Sequence, residues 1–341
     1  MPGNAEPQNA RDFEEATGVH QIDESTWEGN HPLRLPLTGA RGVYGGHMCA
    51  QTLLVAMKTA PGYVPHSFHS HFIRAGNPKS KCIYKVSSLN DGKAFCQRQV
   101  TMLQDGKVTF TAMCSLKKKG VNFKSKVLGD YVHTESMFFK KYKDPSLLYK
   151  TYHTDFIVNA FSEEFLNYEL CPDERNMQPS ERWIHLWSKL HQPQKTKMSD
   201  PKLNYIGLAH LSDAAILTTM ARALHLEWNP TADNPREEFD SEKDARKIMN
   251  VSLNAMHLFH YTAMSLDHHL YFHVDDTDEL DVLNDWLFLT YQFMISRNSR
   301  TLVRGHFMNK DGVCVATFIQ EGLTFMKPGV PGTTGKKFPK L

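Results

Sequence analysis

Between His47 and Ala60 the apolar positions Met48, Ala50, Leu53, Leu54, Val55 and Met57 cover most of a helical circumference, not one stripe. That distribution predicts a buried helix rather than a surface one. Gly45-Gly46 opens the run and Pro61-Gly62 stops it. The period then changes. Residues 67–73, 81–89, 95–103 and 108–116 read as strands, punctuated by Gly76-Asn77-Pro78, Asn90-Asp91-Gly92 and Asp105-Gly106. One buried helix followed by consecutive antiparallel strands predicts an α+β unit with a sheet wrapped around the helix.

The same order returns downstream. Ser212 reads as an N-cap, and Ala214, Ala215, Ile216, Leu217, Met220, Ala221 and Leu224 as the apolar face of a second helix. Residues 264–273, 286–295, 301–308 and 313–320 read as strands. Within the intervening section, residues 156–165 and 182–190 are candidates for the second unit's opening strands, and 226–250 is a polar, charged insertion. Arg98, Met102 and Asp105-Gly106 recur at the same spacing as Arg304, Met308 and Asp311-Gly312. A repeat this long predicts two copies of a whole domain, with Arg98 and Arg304 sharing one structural role. Aligned on these turns, Ala50 faces Asp213, Ser67 faces Ser265 and Cys114 faces Gln320. The second copy therefore carries polar side chains where the first is largely apolar.

The chain has 341 residues, enough for two domains with sizeable cores, with 41% hydrophobic and 22% charged residues. A net charge of +2 gives no argument for a nucleic-acid partner. No apolar run approaches the roughly 20 residues of a membrane span. The opening residues 1–15 lack the apolar stretch of a secretory signal. The six cysteines form no Cys-x-x-Cys pair, which predicts reduced, mostly buried thiols. The last three residues, Pro339-Lys340-Leu341, are close to the Ser-Lys-Leu address read by the peroxisomal import receptor. An accidental tripeptide on a Gly/Pro-rich tail fits equally well.

Asp213, placed at a helix N-terminus, would be held ionised by the macrodipole and could act as general base on a water. A Ser265 hydroxyl and a Gln320 amide could hold that water or a substrate carbonyl. Backbone N–H groups at the same terminus could stabilise an oxyanion. Such equipment suits hydrolysis of an activated acyl group. A plain structural account also fits the spacing: a cap, an exposed strand hydroxyl and a strand end. The histidine groups His66, His69, His71 and His268, His269, His273 match no zinc spacing, and no Gly-x-Ser-x-Gly elbow is present. Lysines 117–119, 124, 126, 140 and 141 fit either phosphate contacts or solvated loops.

The runs Tyr44-Gly-Gly-His47, His66-Ser-Phe-His-Ser-His-Phe-Ile-Arg74, His210-Leu-Ser-Asp213, Ser265-Leu-Asp-His268, Tyr271-Phe-His273 and Gln320-Glu-Gly322 resemble the type II acyl-CoA thioesterases, in order and over about residues 30–326. The resemblance implies a double hotdog, hydrolysis of fatty acyl-CoA to free acid and CoA without a metal or organic cofactor, and catalysis by Asp213, Ser265 and Gln320. It implies a division into a polar leader (1–29), an N-terminal hotdog (30–120), a linker (121–150), a catalytic C-terminal hotdog (151–326) and a tail (327–341). It also implies a homo-oligomer. Ser265 is the variant associated with the family's peroxisomal branch, which agrees with a peroxisomal matrix location and the Pro339-Lys340-Leu341 signal. The first-copy motif usually reads Gly-Gly-Gln and here ends in His47, and the 226–250 insertion is long; both bear on the pocket. A non-catalytic acyl-CoA-binding hotdog and an acyl-CoA hydratase or dehydratase are the alternatives.

Overall fold

In the computed structural model the described residues are 12–36, 40, 42–121, 137–153, 156–166, 168–225, 261–275 and 277–326. The first copy runs α1 (Phe13–Thr17), β1 (Val19–Gln21), β2 (Thr26–Gly29), α2 (Gly45–Lys58), β3 (Tyr63–Phe72), β4 (Ile83–Asp91), β5 (Phe95–Gln104) and β6 (Lys107–Lys118). Every residue of α2 from Gly46 to Ala56 is buried, as its all-round apolar pattern requires. Asp105 and Gly106 both take positive φ, 50° and 74°, the two-residue turn that matches strand twist.

The second copy is built from α3 (Met137–Lys141), β7 (Tyr149–His153), β8 (Ile157–Phe161), α4 (Glu163–Leu166), β9 (Ile184–Leu190), α5 (Leu203–Leu211), α6 (Met220–Ala223), β10 (Tyr261–Ser265), β11 (Asp267–Phe272), β12 (Leu287–Arg297), β13 (Arg300–Met308) and β14 (Cys314–Met326). Among the described residues the strands form one continuous antiparallel sheet, ordered β1-β2-β4-β5-β6-β3-β11-β14-β13-β12-β9-β8-β7, with β10 also paired to β14. The copies join where β3 pairs with β11, His69 opposite His269. The sheet curls around α2 and α5, which pack against each other in its hollow. This is the expected α+β double hotdog. No helix among the described residues is long and apolar enough to cross a membrane.

Three expectations need correction. First, residues 12–29 are not a bare leader. Phe13 is buried against Phe156 and His210 of the second copy. Lys195 bonds Asp12 and Glu14 at 2.8 and 2.6 Å, and β2 pairs with β4. Secondly, the second central helix is α5, ending at Leu211; Ser212 is its C-cap. Ala215 takes a left-handed φ of 62° and breaks the run, which resumes only as short pieces. A non-glycine residue held there costs of order 1–2 kcal/mol, which tertiary packing must offset. The helix α5 itself, Leu203–Leu211, was missed because its burial on all sides from Asn204 onward leaves no amphipathic period.

Thirdly, the repeat sets the register less faithfully than its spacing suggests. Arg98 lies on the buried face, 4% exposed, bonded to Asp91 and to Thr59, whereas Arg304 is exposed. In the ladders Arg98 sits opposite Cys114, and Gln320 sits opposite Val303. The longer turn at Asn309–Val313 shifts β13 by one residue, and one residue turns a side chain to the opposite face. The polar stretch 226–250, Lys124, Lys126 and the tail Pro339-Lys340-Leu341 lie outside the described residues.

Candidate active site

The site forms where the two copies meet. Asp213 follows the C-cap of α5, and Ser265 ends β10. Gln320 points inward from β14 and is fully buried. The sheet explains how residues 55 positions apart converge: Ser265 pairs with Gly322, two residues along β14 from Gln320. Gln320 Nε2 donates to Asp213 Oδ1 and to Ser265 Oγ, both at 2.7 Å. Ser265 Oγ donates to Asp213 Oδ1 at 3.3 Å. All three residues expected from sequence are thus joined by direct hydrogen bonds.

The helix terminus beside Asp213 is not its own. Asp213 stands past the C-terminal end of α5, so the expected N-terminal placement within its own copy is wrong. Its carboxylate instead meets the start of α2, from the first copy. The Gly46 N–H hydrogen-bonds to it, and Asp213 Oδ2 lies directly over Gly45. Tyr44, the N-cap of α2, provides no side-chain cap; its hydroxyl donates to the His210 carbonyl at 2.6 Å. The positive end of α2 therefore faces the carboxylate across the copy junction. Sequence reading missed Gly45 and Gly46 as site residues, although the doubled glycine at a helix start was the available signal.

Both glycines are needed for this approach. A Cβ on Gly46 would strike the His210 carbonyl, and one on Gly45 would strike Asp213 Oδ2 and come within 2.9 Å of Phe72 Cε1. Gly45→Ala is therefore expected to displace the carboxylate and lower turnover about 10–100-fold. Steady-state kinetics on acyl-CoA check this; wild-type turnover in the variant would contradict it.

Burial is the largest influence on Asp213 and raises its pKa to about 6, against the pull of Gln320, Ser265 and Gly46. The residue still keeps partial solvent access. Tyr44 and Cys49 nearby are pushed well above their ordinary values by burial and then by the Asp213 charge, so they stay neutral at physiological pH. A carboxylate ionised at neutral pH, open to solvent and held on one oxygen by an amide and a hydroxyl, can bind a water and take its proton.

The paired ladders also revise which first-copy residues correspond. The register irregularity in β3 falls at His66, and its equivalent between β10 and β11 falls at Leu266. Hence Ser265 corresponds to Pro65, not to Ser67, while Gln320 does correspond to Cys114. Neither first-copy position keeps the hydrogen-bonding group, so the polar constellation belongs to one copy.

Other candidates resolve differently. His69 and His269 adjoin on the outer face, with ring centroids 5.1 Å apart. Among the described residues no three His, Cys, Asp or Glu side chains are arranged to hold a metal ion. Lys117 pairs with Asp275 and Lys141 with Glu164, so these two lysines are engaged within the protein. The six cysteines are free thiols, five of them buried.

Residues 33–116 match the model of the acyl-CoA thioesterase N-terminal domain, and residues 152–324 that of the acyl-CoA thioesterase C-terminal domain. The chain is 25% identical over 334 residues to peroxisomal acyl-coenzyme A thioester hydrolase 1 of Saccharomyces cerevisiae, covering 83% of this chain and 86% of that one. It is 24% identical over 329 residues to human acyl-coenzyme A thioesterase 8, covering 92% and 88%. Its fold matches the acyl-CoA thioesterase II TesB2 from Mycobacterium marinum with a TM-score of 0.63 at 21% identity, over 93% of this chain and 100% of that one. Two matched domains spanning most of the chain, on a double-hotdog scaffold, make this protein an enzyme of the type II acyl-CoA thioesterase family.

Proposed function

We propose that the chain hydrolyses fatty acyl-CoA to free fatty acid and CoA in the peroxisome, with Asp213 activating the attacking water. The observation that carries this reading is the contact of Asp213 with Gln320, Ser265 and the start of α2. In the step proposed, the water oxygen bonds to the thioester carbonyl carbon as Asp213 takes a water proton. The tetrahedral oxyanion forms near the positive end of α2, whose dipole favours it. Collapse breaks the C–S bond, and the proton leaves with the CoA thiol. Gln320 and Ser265 fix the carboxylate oxygen that does not take the proton. Ser265 donates its own proton to Asp213 and accepts from Gln320, an arrangement suited to positioning, not to attack.

The base must be ionised, and its pKa is about 6. Turnover should therefore rise with pH through about 6 and level off by about pH 7.5. A kcat profile across pH 4.5–8 tests this; an unchanged rate below pH 5 would contradict it.

The peroxisomal setting is supported by the yeast relative, which is a peroxisomal acyl-coenzyme A thioester hydrolase. The Pro339-Lys340-Leu341 signal is tested by deleting Leu341, which should leave the protein in the cytosol. Assembly into a homo-oligomer rests on the family resemblance and is checked by sedimentation.

A further inference from the structure

The Gln320 amide can serve Asp213 in only one orientation. Nε2 toward the carboxylate donates; Oε1 toward it would repel. Something must choose, and hydrogen bonds to Nε2 account for half of the amide. In the antiparallel ladder of β11 and β14, His269 sits opposite Ile319. One step back on β11 and one forward on β14 bring His268 and Gln320 side by side on the inner face. The first-copy counterparts of these two positions are Phe68 and Cys114, which are directly paired and fully buried. A buried ring occupies the place in both copies, so core volume is kept. Its polarity changes only where a glutamine stands beside it.

His268 is fully buried, and its Nε2 lies 2.8 Å from Ser212 Oγ. Ser212 immediately precedes Asp213. Its Oγ also lies 2.8 Å from the Ala209 carbonyl, so its single proton has two possible acceptors. His268 Nδ1 and Gln320 Oε1 are both buried with no hydrogen-bond partner at ordinary distance. A donor and an acceptor left so, on adjacent inward side chains, are complementary if Nδ1 carries the hydrogen.

We propose that His268 is a positioning residue. Its Nδ1–H donates to Gln320 Oε1 and fixes the amide with Nε2 toward Asp213 and Ser265, while the Ser212 hydroxyl holds its Nε2. The inference rests on the catalytic reading of Asp213. Burial pushes the His268 imidazole down to about 3, so it adds no charge beside the carboxylate. The ionisable neighbours Asp267 and His269 lie 3.6 Å apart on the outer face.

The test compares full-length His268→Phe, His268→Asn and Ser212→Ala with wild type and Asp213→Asn, using acyl-CoA hydrolysis and thermal melting. His268→Phe copies the first-copy residue and keeps the ring volume. It should lower kcat about 10–100-fold with KM within about twofold. It should also move the acid limb of the kcat profile to higher pH, since Asp213 loses a dependable donor. His268→Asn places an N–H where Nδ1 stood. It should retain several-fold more activity than His268→Phe despite melting at the same or a lower temperature. Ser212→Ala should lose several-fold in kcat alone. Activity that follows melting temperature, or a fully active His268→Phe, would overturn the proposal. If His268→Phe does not fold, His268→Gln replaces it, since its amide reaches the Nε2 site and should be less active than Asn. An inactive Asp213→Asn beside fully active His268 variants removes the positioning role alone. An active Asp213→Asn removes the catalytic reading and this inference with it.

Discussion

Asp213→Asn is expected to lower acyl-CoA turnover about a thousandfold and at the same time to raise the melting temperature at neutral pH. The loss follows from removing the proposed general base, an effect typically between about 10²- and 10⁴-fold. Asn keeps the shape and can still accept from Gln320, but it cannot take a proton. KM should change little, because in the proposed step this carboxylate serves the attacking water rather than the acyl chain. Retention of a tenth of wild-type kcat would remove Asp213 from the role of base.

The stabilisation follows from the pKa. In the folded protein Asp213 titrates at about 6, above its ordinary 3.8, with burial as the main cause. The folded state thus holds the proton more tightly than the unfolded chain. Stability contributed by this group falls as pH rises from about 4 to about 6, and the full penalty is present above that. A shift of about two units corresponds to roughly 2–3 kcal/mol. Asparagine has no such penalty, so the variant should melt about 3–4 °C higher at pH 7.5. At pH 4 the two proteins should melt close together. Equal melting at both pH values would show that the carboxylate is better solvated than its surroundings indicate.

Arg222→Met should destabilise the fold by about 3–5 kcal/mol. Arg222 is 4% exposed, and its guanidinium forks onto Glu174 with Nη1–Oε2 at 2.6 Å and Nη2–Oε1 at 3.0 Å. It also donates to the Glu164 carbonyl through Nε and Nη2. Arg182 donates to the carbonyls of Glu174 and Ala223, and His225 Nε2 lies 2.8 Å from Glu174. This cluster ties the segment after α4 to α6. Burial alone would raise the Glu174 pKa, but His225 and Arg222 hold it down to about 2. Removing Arg222 leaves that carboxylate without its bidentate cation, with the His225 imidazole and the Cys171 thiol still beside it. The depressed pKa supplies stability that is present above about pH 4.5 and is lost as pH falls toward 2. Chemical denaturation at pH 7 and pH 3 should therefore show a large difference between wild type and variant at the higher pH and a smaller one at the lower. A loss below 1 kcal/mol at pH 7 would mean that the pair is replaceable by packing.

The sequence alone determined the repeating plan. Alternation and turn residues marked β3 to β6 and β12 to β14, because a half-buried strand must alternate and a tight turn must admit positive φ, as Asp105-Gly106 does. The continuous apolar run of α2 announced a helix enclosed on all sides. Asp213, Ser265 and Gln320 were legible as polar residues in apolar surroundings and through their family motifs. Tertiary structure decided the rest. The one-residue shift in β13 turned Arg304 outward although its spacing copies that of Arg98, since a turn's length sets strand parity and spacing does not reveal it. The Arg222–Glu174 pair joins residues whose burial depends on how separate segments pack. The helix terminus beside Asp213 came from the first copy, not its own. That terminus, and the burial that sets the carboxylate near pH 6, exist only once the two hotdogs close on each other: both depend on groups more than 150 residues away in the chain, and no local pattern encodes that distance.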